Sequence, residues 1–453
     1  MFDTSLFFEL IQLSLDKRDS FCLCPSEQEW GELFELAKKQ ALVGVLFSGV
    51  ERLPENQRPP KEVLLKWYAL VQKIEERNRV LNRQVVAVSE RFMRDGFCSC
   101  ILKGQGNAAL YPNPLRRQSG DIDIWLCHKD HCGNLNLGLC ERRDRVVEYI
   151  KSKSNVKEVV YHHADFKILQ DTEIEVHFTP SWMFNPFQNR KLQRFFRNQE
   201  REIFTQKNSL HGIDDGEVCI PSYNFNVIYL LIHIYRHLFV EGIGLRQLMD
   251  YYFLVRSSGV QEFRSSDGTQ SIMNYEFASL VKGSSGVQKS DFKFLSSLVL
   301  KFLSCLPCNL IYRNSDGERN CLDGRTDEQN DWTSNCGEEN CEMIELLKSL
   351  KLYKFARAVM WVLGEVFGLE RELMYVEPDE KEGRFLLNEI MMAGNFGKYD
   401  DRIKYNSSRS RFHSLMRRHI QASRFLRSYP QEVVWELPFR GCHYIWRWYK
   451  GYL

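Results

Sequence analysis

Apolar positions in the N-terminal part of the chain recur at helical spacing. Leu64, Trp67, Val71, Ile74, Leu81, Val85, Val88 and Phe92 follow at steps of three, four or seven, which predicts a long amphipathic helix ending at Gly96. Trp30, Leu33, Phe34 and Ala37 repeat the spacing on a shorter helix. After Gly96 the period shortens. Phe97 to Leu102 is a brief apolar run consistent with a buried strand, ending at Lys103-Gly104. A short helix from about Gln105 to Leu110 is stopped by Pro112 and Pro114. Gly120-Asp121-Ile122-Asp123-Ile124-Trp125-Leu126 then alternates, so a strand is predicted with two carboxylates on one face and apolar residues on the other. A charged helix near Glu141 to Lys151 follows, and then three strands: Val156–Tyr161, Phe166–Leu169 and Glu173–Phe178.

From Asn224 onward the helical pattern returns. Ile228, Leu231, Ile232, Tyr235, Leu238 and Phe239 form one stripe; Leu245, Leu248, Met249 and Tyr252 form the next, beyond a break at Gly242 and Gly244. Residues 256–270 and 314–342 are polar and poor in aliphatics, which predicts flexible loops. The order of elements suits an α+β fold: a small mixed β-sheet core at 97–215, flanked by helical regions at 1–96 and 216–453.

Composition alters this picture little. With 453 residues, 43% hydrophobic and 26% charged, the chain suits a soluble globular protein, and a net charge of +2 recruits neither nucleic acid nor an acidic membrane by itself. The N-terminus lacks the basic region of a secretory signal, and the apolar run Val227 to Tyr235 is too short to span a bilayer. The expectation is a cytoplasmic protein whose 14 cysteines are reduced. Cys305, Cys308, Cys336 and Cys341, and the cluster Cys127-His128 with His131-Cys132, are read as core and loop residues in preference to zinc ligands. The basic, aromatic stretch from Arg402 to Leu453 is read as a solvated face with core aromatics.

The chemistry lies in the acidic strands. Asp121 and Asp123 repel unless a cation sits between them, and Glu175 in Ile174-Glu175-Val176-His177 offers a third carboxylate on a neighbouring strand. Three such groups make a Mg²⁺ (or Mn²⁺) site suited to phosphoryl or nucleotidyl transfer. Asp121 and Asp123 would bridge two ions and Glu175 would complete the one that activates a hydroxyl. Lys103-Gly104, at a strand-to-helix junction, and Arg117, in the loop before the acidic strand, are placed to meet phosphate oxygens. His177 shares a strand face with Glu175, either supporting the site or standing as a partly exposed strand histidine. His233 and His237 are expected to line a groove, and Arg246 and Asp250 to form an intrahelical ion pair.

Leu102-Lys103-Gly104, Tyr111-Pro112-Asn113-Pro114, Arg117, Gly120-Asp121-Ile122-Asp123 and Ile174-Glu175-Val176-His177 together resemble the uncharacterised bacterial nucleotidyltransferase family of the DNA polymerase β-like superfamily. The resemblance extends to His237, Gly242-Ile243-Gly244-Leu245-Arg246, Asp250, Glu389-Ile390 and Gly394-Asn395-Phe396-Gly397. It implies a nucleotidyltransferase fold with Asp121, Asp123 and Glu175 as metal ligands and an NTP, ATP foremost, as donor. Lys103, Gly104, Arg117 and Gly120 are the expected nucleotide contacts. The wider superfamily's Gly-Ser pair is replaced here by Lys103-Gly104. The acceptor is left open among a protein, a small molecule, a sugar and a nucleic-acid end. Two rival classes remain: a non-catalytic nucleotide-binding protein of the same fold, and a glycosyltransferase using Asp-x-Asp. The second is disfavoured because helices with a single strand precede the motif.

Overall fold

Four strands form the central sheet in a computed structural model of the chain, which describes residues 4–132, 139–154, 159–205, 208–209, 216–265, 338–400, 419 and 421–452. They are β1 (Phe97–Ile101), β2 (Ile122–His128), β3 (His163–Asp165) and β4 (Ile174–His177), in the order β1-β2-β4-β3. The sheet is mixed: β2 runs antiparallel to β1 and parallel to β4, and β3 runs antiparallel to β4. Alternation decides its faces. Ile122, Ile124 and Leu126 project into a core built with Leu81, Val85, Val88 and Phe92, and with Val146, Val147 and Ile150. Asp123 and Trp125 project the other way, where Trp125 stacks on Phe225 at 5.9 Å.

Helices cover both faces. α1 (Thr4–Ser14), α2 (Glu27–Lys39) and α3 (Val43–Arg52) precede α4 (Lys61–Arg94), a 34-residue helix whose stripe was visible in the sequence. Its first half buries Trp67, which donates a hydrogen bond to the Val43 carbonyl and packs against Trp30 and Phe34. Its second half buries Leu81, Val85, Val88 and Phe92 under the sheet, beside α6 (Leu139–Lys153). A short helix, α5 (Gln105–Ala108), follows β1. Across the other face lie α7 (Pro186–Thr205) and α8 (Tyr223–Val240), which α9 (Leu245–Ser265) follows; Phe195 of α7 meets Phe225 of α8 at 6.0 Å. Further helices span Glu338–Ser349, Tyr353–Phe367, Glu380–Ala393 and Pro430–Lys450. Met1–Gly268 and Ile344–Leu453 make one compact unit, which contains the candidate site; Thr269–Met343 make a second.

Some sequence expectations need correction. The strand expected at Phe166–Leu169 is β3, at His163–Asp165. Phe166 keeps one ladder bond to the Ile174 carbonyl, but its ring is buried in the core and a tight turn to Ile168 takes the chain out of the sheet. Of Val156–Tyr161, Val159 forms an isolated bridge to Ala164, and residues 155–158 lie outside the described residues. Residues 256–265 are helical and not a loop, because α9 carries on without a proline to stop it. Residues 338–342 likewise belong to the helix Glu338–Ser349, while 266–270 and 314–337 lie outside the described residues, as do Cys305, Cys308 and Cys336. Among the described residues no helix is long and apolar enough to cross a membrane.

Candidate active site

Parallel pairing sets Asp123 of β2 directly beside Glu175 of β4. Because the register is shared, both side chains leave the same face of the sheet. Antiparallel pairing then sets His163 of β3 opposite His177. The outcome is a compact group. His177 Nε2 lies 3.0 Å from Asp123 Oδ1 and 3.5 Å from Glu175 Oε2, while His163 Nδ1 lies 3.3 Å from Glu175 Oε2. Lys103 reaches in from the end of β1, its Nζ 3.0 Å from Asp123 Oδ1 and 3.4 Å from His233 Nε2 of α8.

Burial and charge oppose each other here. Asp123 is only 1% exposed. Burial alone would raise its carboxyl, yet the Lys103 ammonium and the His177 hydrogen bond outweigh burial and hold it below the usual carboxylate range. Glu175 follows the same balance: burial raises it, but His177, His163 and Lys103 bring it down to about 2. Both carboxylates are therefore ionised at neutral pH. Burial would likewise deprotonate His177, and its bonds to Asp123 and Glu175 push it above the ordinary histidine value instead. His163 is driven the other way, to about 4, chiefly by burial.

A second wall faces the carboxylates. Asn78 and Asn82 interrupt the apolar stripe of α4 for a reason. Asn78 Nδ2 donates to the carbonyls of Leu115 and Arg117, and Gln105 Nε2 donates to the side-chain oxygens of both asparagines. That network fixes the loop carrying Arg117. The Arg117 guanidinium then meets Asp250 of α9 through two bonds of 2.7 Å, and Tyr111 Oη donates to the same carboxylate at 2.6 Å. Arg246 Nη1 donates to the Gln118 carbonyl. The walls border an open cleft lined by Lys103, Gly104, Arg117, Gly120, Asp121, Asp123, Leu230, His233, Ile234, Arg246, Gln247, Asp250 and Phe396. Gly104 adopts φ +62° where the chain turns from β1 into α5, a conformation open to glycine at little cost.

A model of the uncharacterised nucleotidyltransferase family matches residues 26–266, more than half of the chain. The chain belongs to that family. No curated protein and no solved structure matches it. Family membership brings a general nucleotidyl transfer and a nucleotide substrate. The matched residues include both walls of the nucleotidyltransferase cleft except Phe396.

Each residue expected from the sequence can now be placed in this nucleotidyltransferase. Asp121, Asp123, Lys103, Gly104, Arg117 and Gly120 line one cleft, and Glu175 joins them through the ladder to Asp123. Among the described residues, the ligand atoms of Asp123, Glu175 and His177 lie within 4.8 Å of one another. Asp121 keeps to the same wall but stands outside that group. Asp123 Oδ2 is buried with no hydrogen-bond partner, so this acid has a lone pair to give and the residues fit a divalent cation. Arg117 is engaged by Asp250, which displaces the expected Arg246–Asp250 pair; Arg246 and Asp250 share α9, but the planar guanidinium of Arg117 fits the carboxylate edge-on. His177 is buried and bonded, not exposed; of the two helix histidines expected in the groove, His233 lines the cleft and His237 does not, its ring lying 5.5 Å from that of Phe396. Cys127, His128, His131 and Cys132 do not gather as a metal-ligating group.

Sequence reasoning missed His162 and His163, Asp250 as the partner of Arg117, and helix α7. The adjacent histidines following Tyr161 were a visible signal for the first, and the spacing of Leu192, Phe195, Phe196 and Ile203 for the last.

Proposed function

We propose that the protein is a metal-dependent nucleotidyltransferase that moves an NMP group from an NTP, ATP foremost, to an acceptor hydroxyl with release of pyrophosphate. Asp121, Asp123 and Glu175 are the residues to hold Mg²⁺ or Mn²⁺, in a two-metal arrangement. The observation that carries the reading is the β2–β4 register: Asp123 and Glu175 sit side by side, and Asp123 keeps a buried oxygen unpartnered. When bound, the metal ions would supply positive charge to the α-phosphate and lower the pKa of the attacking hydroxyl. The chain's own groups do the rest. Asp123 and Glu175 are ionised before any ligand arrives. His177 holds the two carboxylates in one orientation through a single ring nitrogen. Lys103 and Arg246 bring positive charge to the cleft for phosphate oxygens, and Gly104 lets a phosphate approach the backbone. A cytoplasmic location goes with this reading, since NTPs and reduced thiols coexist there.

The test is mass spectrometry of protein and lysate after incubation with Mg²⁺ or Mn²⁺ and each NTP, with pyrophosphate release measured in parallel. An added NMP mass is expected, and Asp123→Asn should lower transfer roughly a thousandfold, the scale of losing one preorganised charge-stabilising group. Transfer that persists in Asp123→Asn, or wild-type protein that releases no pyrophosphate with any NTP, overturns the reading. The second outcome favours a nucleotide-binding protein without catalysis.

A further inference from the structure

We propose that Phe396 is the platform on which the nucleobase stacks; the inference rests on the nucleotide reading above and names the residue that meets the base. Phe396 lines the same cleft as Asp121 and Asp123. Its backbone sits at φ +55° and ψ +31°, a left-handed conformation that a bulky aromatic residue rarely adopts. The surrounding chain imposes it. Gly394 and Gly397 on either side also take positive φ. A Cβ at Gly397 would stand 1.9 Å from the Glu241 carbonyl oxygen, and one at Gly244 would stand 2.9 Å from Asn395 Cα. Asn395 Oδ1 accepts a hydrogen bond from Gln247 Nε2 at 3.1 Å. The 241–244 turn and the 394–397 turn are thus pressed backbone to backbone, and that contact fixes the backbone from which the Phe396 ring projects. Strained residues held this way concentrate at ligand sites.

The chemistry of the cleft singles out this ring. The lining is charged or polar apart from Leu230, Ile234, the glycines and Phe396, and His233, the other ring, faces Lys103. A nucleobase needs a flat, apolar, polarisable surface, and stacking on an aromatic side chain serves every base. Arg246 ties the platform to the acidic wall. Its guanidinium lies 5.4 Å from the Phe396 centroid while its Nη1 holds the Gln118 carbonyl, in the loop that leads to Asp121.

Isothermal titration of the full chain in Mg²⁺ with two probes tests the assignment: the non-transferable α,β-methylene analogue of ATP, and base-free tripolyphosphate. Phe396→Ala should weaken the ATP analogue about tenfold or more and leave tripolyphosphate within about twofold. Phe396→Tyr should bind both as wild type does. Phe396→Leu keeps the bulk without the π-face and should show the same base-selective loss, which covers the case in which the alanine variant fails to fold. Substitutions that leave the analogue's affinity unchanged, or weaken both probes equally, overturn the role of Phe396 while the nucleotide reading stands. Wild-type protein that binds neither probe overturns the nucleotide reading, and this assignment with it.

Discussion

The two walls of the cleft both bury carboxylates, and they neutralise them differently. On the α9 wall, Asp250 receives two bonds from Arg117 and a third from Tyr111, so the charges are matched and both carboxylate oxygens are occupied. On the β2–β4 wall, Asp123 shares one oxygen between Lys103 and His177 and leaves the other buried without a partner. Both acids are held below the usual carboxylate range against the opposing effect of burial. The difference is one of completion. A finished pair orders the loop at Arg117; an unfinished one retains capacity for something else.

Substitutions can break or sharpen this contrast, and the largest effect belongs to the unfinished acid. Asp123→Asn should abolish transfer by roughly a thousandfold while the fold survives, because an amide oxygen still accepts from Lys103; circular dichroism with the pyrophosphate assay reads both. The finished pair should behave in reverse. Arg117→Ala leaves Asp250 buried and unmatched and should cost about 3–5 kcal/mol in urea unfolding. The double variant Arg117→Met with Asp250→Leu should recover much of that loss; strictly additive costs would show that the pair is not coupled.

Glu432, in the helix Pro430–Lys450, is a control outside the cleft. It is buried, accepts a hydrogen bond from the Phe184 amide, and is pushed up to about 7, chiefly by burial. Between its ordinary value of 4.5 and about 7, the folded chain keeps a proton that the unfolded chain has released. Its contribution to stability is therefore present below the ordinary value and lost as pH rises through about 7. Glu432→Gln should match wild type at pH 4 and exceed it by up to about 3 kcal/mol at pH 8, read from urea midpoints. Equal stability of the two proteins at pH 8 would refute this. The smallest effect is expected at Asn78→Ala, about 1–2 kcal/mol from unpairing the Leu115 and Arg117 carbonyls; an unchanged midpoint would remove Asn78 as the anchor of that loop.

The acidic wall was legible because its information is local. Alternation around Asp121 and Asp123 fixes a strand face, and Ile174-Glu175-Val176-His177 repeats the pattern. What alternation could not supply is register, so the pairing of Asp123 with Glu175 and the arrival of His163 opposite His177 waited for the sheet. The α9 wall was harder to read. Arg117 and Asp250 are joined across tertiary space, and spacing along a helix pointed to Arg246 instead. Phe396 was quoted only as part of a motif; its orientation depends on glycines in a distant turn. Asn78 is the exception, since a polar residue filling the gap between Ile74 and Leu81 in an apolar stripe already signals an interior hydrogen bond.

Helix α4 carries a practical consequence for anyone dissecting the molecule. At about 1.5 Å per residue it forms a rod about 50 Å long, and its two halves belong to different neighbourhoods. Trimming the chain back to Phe97 would strip the sheet of Phe92 and Val88 and the Arg117 loop of Asn78. A minimal fragment would have to keep this spine, and Trp67 obliges it to keep the bundle that Trp67 caps.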